Sequence, residues 1–213
     1  GKGARLFDYY LGKSKTYEAT FKFGISSDTL DIAGNITDST NSIPDASSIS
    51  AALNSLVGKQ EQLPPLYSAK SVGGVRAYEL ARKGIAVELK SSVITVNSFE
   101  LLKEIGENEY LFRIDCSAGT YIRSLCRDLA EKLGSLAVMT SIKRTRCGKF
   151  FAENSIKLGD ITPDIVVPLE TALSDIERYD APESAYKKIV NGVPYPADDA
   201  PKGEFALYCR NEL

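Results

Sequence analysis

The chain has 213 residues, 43% of them apolar and 25% charged, with no tryptophan and no histidine. The missing imidazole excludes Ser-His-Asp and Cys-His catalysis, histidine metal sites and imidazole proton shuttles, so carboxylates, Tyr, Lys, Arg or a free Cys must carry any chemistry. The formal charge of −2 hides a split: residues 1–152 hold 20 Lys/Arg against 16 Asp/Glu, and residues 153–213 hold 6 against 12.

Several other classes fall away. No apolar run approaches the ~18 residues of a membrane span. Cys116, Cys126, Cys147 and Cys209 form no CxxC pair and no disulfide framework, so free thiols in a reducing cytosol are expected, with no metal. Gly73-Gly74 is a turn signal and not a phosphate loop.

In chain order, residues up to Leu11 read as a short helix. A strand follows over Lys15–Ile25, with Tyr17, Ala19, Phe21 and Phe23 on one face. Ser26–Pro44, rich in Asp, Gly, Asn, Ser and Thr, reads as loop and turn. Ile49, Ala52, Leu53, Leu56 and Val57 keep helical spacing between Pro44-Asp45 and Gly58. Pro64-Pro65-Leu66-Tyr67-Ser68-Ala69-Lys70 is an extended loop, followed by a short helix over Ala77–Lys83 that Gly84 stops, and a strand over Ser92–Leu101. The next strand alternates Tyr110, Phe112, Ile114 and Cys116 against Leu111, Arg113, Asp115 and Ser117. It leads through Gly119-Thr120-Tyr121-Ile122-Arg123 into a helix with Ile122, Leu125, Leu129 and Leu133 on one stripe, stopped by Gly134. A glycine turn there holds an aromatic ring and a guanidinium at the rim of a sheet, where sites are built. On spacing alone the same pair also reads as surface packing and ion pairing.

The run Lys143-Arg144-Thr145-Arg146-Cys147-Gly148-Lys149 puts four cations in seven residues. It suits phosphate neutralisation, and equally a strand edge kept from aggregating by charge. Strands and helices mix without a βαβ alternation, which predicts the α+β class.

Taken together, "KTYEATFKFG", "SSDTLDIAG", "PPLYSAK", "RAYELARKG", "GTYIRSLCRDLAEKLG" and "IKRTRCGKF" occur in the order and spacing of the bacterial tRNA pseudouridine synthase B family, which modifies the T-loop uridine. The resemblance covers essentially the whole chain. It implies a pseudouridine-synthase fold: a mixed, mainly antiparallel sheet flanked by helices over residues 1–176, with a T-loop-binding insert at about 60–90, and the start of a small PUA-like domain over residues 177–213. It implies an isomerisation without cofactor or metal, in which the uracil N-glycosidic bond is cleaved, the base turned and a C–C bond made. The implied partner is the T-arm stem-loop of tRNA, and the implied location the cytoplasm.

By the same resemblance Tyr17 packs against the flipped base and transfers a proton. Taken alone, it reads as an inward-facing strand aromatic beside Phe21 and Phe23. Tyr121 and Ile142 match residues that line the pocket, and Asp31 matches a polar residue of the RNA-facing loop. Lys70, the Arg76–Lys83 segment and the Lys143–Lys149 run match the RNA groove. Arg123 matches an arginine whose partner is a nucleophilic aspartate. Such a partner suits the chemistry, because an apolar pocket raises a carboxyl pKa whereas a nucleophile must be ionised. The family's Leu-Asp-Pro loop that carries this aspartate is not found in these residues. The nucleophile is therefore expected upstream of Gly1, and the last strands of the PUA-like domain beyond Leu213. The expected assembly is a monomer, or a chain paired with another that supplies the missing part. The alternative is a T-arm RNA-binding fragment or tRNA-folding module without chemistry.

Overall fold

The alternation of Tyr17, Ala19, Phe21 and Phe23 makes β1 (Lys15–Phe23) the strand around which a computed structural model, describing residues 2–210, is organised. A short helix, α1 (Phe7–Leu11), precedes it. Next come β2 (Ile25–Ser27), β3 (Ile36–Ser39), α2 (Ala46–Leu53), β4 (Gly58–Gln62), β5 (Ser71–Val72), β6 (Val75–Arg76) and α3 (Ala77–Arg82). β7 (Ser92–Gly106), β8 (Glu109–Cys116), α4 (Ile122–Lys132), β9 (Ala137–Cys147) and β10 (Phe150–Phe151) complete the larger of two compact units, Asp8–Ser155.

Six strands form one antiparallel sheet in the order β10-β9-β1-β8-β7-β4. Across it Tyr17 stands opposite Ile114 and Arg144, Ala19 opposite Phe112 and Ile142, and Phe21 opposite Tyr110 and Met139. One face of the sheet therefore collects the apolar side chains of three strands. α2 brings Ile49 and Leu53 to it, and α4 brings Ile122, Leu125 and Leu129, in one buried cluster with Phe21 and Phe112. Each such fully buried side chain contributes about 1.5–3 kcal/mol. Rings add directionality: the Phe21 and Phe112 centroids are 4.7 Å apart, and Phe99 meets Phe112 edge-on.

Helix ends follow the sequence signals. The Asp45 carboxylate accepts the Ser48 N–H at 2.7 Å and caps α2. Gly134 takes φ +61° just past α4. The departures are polar segments. β1 stops at Phe23 and not at Ile25, since Gly24 turns at φ +97°, and the β2–β3 hairpin runs from Ile25 into the segment read as loop. β4 (sequence Gly-Lys-Gln-Glu-Gln) was not anticipated, because an edge strand of polar residues has no apolar alternation to reveal it. β7 continues to Gly106 instead of stopping at Leu101, and its exposed end pairs with β8.

The second unit, Gly1–Phe7 with Ile156–Leu213, pairs β11 (Glu177–Asp180) in parallel with β12 (Phe205–Tyr208). Two short helices, α5 (Leu169–Ala172) and α6 (Tyr186–Val190), belong to it. Tyr179, Ala181, Ala185 and Cys209 are buried together. The Tyr179 hydroxyl donates to Asp199 at 2.8 Å, and that bond pushes its phenol up to about 12. This unit begins at Ile156, whereas the sequence reading divides the chain after residue 176; residues 211–213 lie outside the described residues. Among the described residues no helix is long and apolar enough to cross a membrane.

Candidate active site

The corner between β8 and α4 is fastened residue by residue. The Ser117 N–H donates to the Thr95 carbonyl at 2.8 Å, and the Thr95 N–H to the Ser117 hydroxyl oxygen at 2.9 Å. The Thr120 hydroxyl closes the turn onto the Ser117 carbonyl at 2.9 Å. Gly119 has φ +79°, the left-handed region where a side chain costs about 1–2 kcal/mol. Tyr121 then occupies the N-cap of α4, with no capping bond from its own side chain. Gln62, at the end of β4, instead holds the N-cap residue by its backbone: its amide accepts the Tyr121 N–H at 2.8 Å and donates to the Tyr121 carbonyl at 3.1 Å.

Two residues on, Arg123 meets the loop after β2. Its Nη1 donates to the Thr29 carbonyl at 2.7 Å and to Asp31 Oδ2 at 3.0 Å, and its Nη2 to the Tyr67 carbonyl at 2.8 Å. Both side chains of the pair are little exposed, 22% for Arg123 and 23% for Asp31. The other Asp31 oxygen accepts the Thr29 hydroxyl at 2.8 Å and the Ala33 N–H at 3.1 Å. Among the described residues, the carboxylate that pairs with Arg123 is that of Asp31. The reason lies in the loop: Leu30, at φ +63°, turns the backbone so that the Thr29 carbonyl and the Asp31 carboxylate serve the same guanidinium. The Ser27 hydroxyl bonds the Asp31 carbonyl at 2.6 Å, and Met139 of β9 bonds the loop on both sides of Asp31. Gly34 closes the turn; a Cβ there would strike the Thr29 hydroxyl and the Asp28 carboxylate.

Three of the five guanidinium N–H groups of Arg123 thus have partners among the described residues. Both Asp31 oxygens accept hydrogen bonds, which fixes the carboxylate against the guanidinium and its own loop.

Tyr17, Ile142 and Arg144 lie on the core-facing side of the sheet, at its β1–β9 end. Burial raises the Tyr17 phenol above its ordinary range; the Cys116 thiol adds to the shift and Arg144 opposes it. Burial likewise pushes the Cys116 thiol up to about 11. At neutral pH this leaves a protonated phenol able to donate or relay a proton. Ile142 is 47% exposed, an apolar side chain open at the surface. Next to the Asp31 loop, a cavity of about 470 Å³ is lined by Leu30, Leu63, Pro65, Leu66, Leu89 and Arg127.

Some of the other sequence candidates also have partners within the chain. Lys70 donates to the Lys90 carbonyl at 2.6 Å and to the Ser92 hydroxyl at 2.8 Å, tying down the 60–90 insert. Within the basic run, Arg146 is committed to Asp115, while Lys143 and Arg144 are exposed. Burial would raise the Asp115 carboxyl, but hydrogen bonds from Thr16, Asn97 and Arg146 outweigh it and lower it. Sequence reasoning missed Gln62, Thr29 and Leu30. A buried glutamine leaves no periodic trace, and a backbone carbonyl or a left-handed leucine has none at all.

The sheet and its flanking helices have the pseudouridine-synthase fold. A Cbf5-Nop10-Gar1 complex structure superposes with a TM-score of 0.64 at 25% identity, covering 90% of this chain and 53% of that one. An H/ACA RNP structure bound to a substrate RNA containing 2'-deoxyuridine is similar in fold, with a TM-score of 0.61 over 90% of this chain and 51% of the other. The chain thus spans about half the length of these solved relatives.

Residues 1–122 match the TruB family pseudouridylate synthase N-terminal domain, and residues 123–176 the tRNA pseudouridylate synthase B C-terminal domain. The tRNA pseudouridine synthase B of Clostridium perfringens is 37% identical over 202 residues, 91% of this chain and 67% of the relative. That of Clostridium novyi is 38% identical over 197 residues, 91% of this chain and 68% of the relative. The chain belongs to the TruB family.

Proposed function

We propose that this chain forms the base-binding part of a tRNA pseudouridine synthase acting on the T-loop uridine. What carries the reading is the convergence of family match and geometry: Tyr17 and Ile142 share one face of the sheet, and the Arg123–Asp31 pair is built into the loop that β9 anchors. A uridine in a folded loop must be extruded before its ring or sugar carbon can be reached, at a cost of a few kcal/mol that pocket contacts offset. Tyr17 supplies an aromatic face and a protonated hydroxyl, Tyr121 a second ring and Ile142 an apolar wall. Arg123 supplies the guanidinium that holds an attacking carboxylate ionised and aimed.

The attacking carboxylate is proposed to come from outside these 213 residues. What supports this is that the 213 residues contain no Leu-Asp-Pro string. The residues with RNA-facing roles are Lys70, the Arg76–Lys83 segment and the exposed cations Lys143 and Arg144; residues 177–213 are assigned to the start of a PUA-like domain. A tritium-release assay on tRNA carrying 5-tritiated uridine tests the reading. T-arm binding without release is expected from this chain alone, with release once a segment carrying the aspartate is supplied. Release by the chain alone contradicts the outside nucleophile, and absence of T-arm binding contradicts the assignment itself.

A further inference from the structure

A primary amide that is 2% exposed needs a reason, because burying one without partners costs free energy and an apolar side chain would fill the space. Gln62 has its partners in a single residue, the N-cap of α4, through both the N–H and the carbonyl of Tyr121. In the ordinary capping box a Gln or Glu one turn into the helix reaches back to the N-cap N–H. Here the group comes from a different strand, 59 residues earlier.

The segment after Gln62 follows the same helix. The Leu63 carbonyl accepts the Ser124 hydroxyl at 2.8 Å and Arg127 at 3.1 Å, and the Tyr67 carbonyl accepts Arg123 at 2.8 Å. Residues 62–67 are therefore laced to positions 121, 123, 124 and 127 of α4. Of these bonds, only the Gln62 pair fixes the peptide of Tyr121 itself against the sheet.

We propose that Gln62 is a positioning residue: its amide locks the N-cap of α4, and so sets where Tyr121 and Arg123 meet the extruded base. The proposal rests on the reading of those two residues as pocket groups. Displacing the 63–67 loop would then displace both pocket groups with it.

The test compares Gln62→Leu, which keeps volume without the amide, with Gln62→Glu, using this chain and a T-arm hairpin RNA carrying 2-aminopurine beside the target uridine. The brightening of 2-aminopurine reports extrusion, and amide exchange by NMR reports the Tyr121 N–H. For Gln62→Leu, Tyr121 exchange is expected to accelerate about tenfold or more in an otherwise native spectrum. RNA affinity should stay within about threefold, since phosphate contacts are untouched, while the extrusion signal falls about tenfold. Gln62→Glu separates positioning from mere support, because a protonated carboxyl again offers one donor and one acceptor. Its extrusion signal should recover as the pH falls from about 7 to 5, as burial raises the carboxyl pKa.

A folded Leu variant that extrudes normally, a parallel loss of affinity and extrusion, or a Glu variant without pH dependence overturns the positioning role alone. A wild-type chain that neither binds nor extrudes overturns the proposed function and this inference together.

Discussion

Arg123 donates to Asp31 across 92 residues of sequence at 3.0 Å, and the same guanidinium holds the carbonyls of Thr29 and Tyr67. One side chain thus joins the start of α4, the left-handed turn at Leu30 and the Pro64–Tyr67 loop. Removing either partner leaves charge-assisted bonds unmade in a site that water reaches only in part. Asp31→Ala or Arg123→Ala should each cost about 1–3 kcal/mol in chemical denaturation. The double variant should cost less than the sum, with a coupling of about 1 kcal/mol or more. Additive losses would mean the pair is a surface contact only.

Gly34 and Gly119 are needed for different reasons. At Gly34 a side chain meets Thr29 and Asp28, so Gly34→Ala should open the Asp31 loop and cost about 1–3 kcal/mol. Around Gly119 space is open and only φ +79° matters, so Gly119→Ala should cost about 1–2 kcal/mol, and Gly119→Asn less. Denaturant midpoints for the three variants check the ranking within the Gly119 pair.

The Asp115 carboxyl is depressed in the folded chain, so its contribution is present above the unfolded value near 3.8 and is lost as pH falls through the folded one. Wild-type stability should therefore decline below about pH 4 more steeply than that of Asp115→Asn, which has no proton to take up. Urea unfolding at a series of pH values reads this directly. Parallel curves would show that the cluster of Thr16, Asn97 and Arg146 does not depend on the charge of Asp115.

The basic run divides into two jobs. Lys143 and Arg144 are exposed, whereas Arg146 is held by Asp115 and also bonds Thr16, Ser14 and the Gly148 carbonyl. Replacing Lys143 or Arg144 by Gln should lower the log–log salt slope of T-arm RNA binding by about 0.7–1 each, with little effect on folding. Arg146→Gln should lower stability first. An unchanged slope for the two exposed cations removes them from the RNA interface.

How much of this was legible in the sequence depends on what kind of signal each feature leaves. Apolar alternation marked β1 and β8 and their common core face, and the glycine stops marked the ends of α3 and α4. The polar edge strand β4 and the β2–β3 hairpin carry no such period, since tertiary pairing creates them. Arg123 stood out through its motif. Its partner did not, because the Asp31 pairing depends on a backbone turn at Leu30 that no side-chain pattern announces. Gln62 is the sharpest case: one polar letter in a loop-like string, buried because of what it meets 59 residues later.

The central claim is that Tyr17, Tyr121 and Arg123 bound the pocket for the T-loop uridine. Photocrosslinking a T-arm hairpin with 4-thiouridine at the target position, followed by mass-spectrometric mapping, tests it most directly. The account predicts adducts on Tyr17 or on the Gly119–Arg123 peptide, abolished when the 4-thiouridine is moved into the stem. Adducts elsewhere on the chain, or the same adducts from any position in the hairpin, would contradict it.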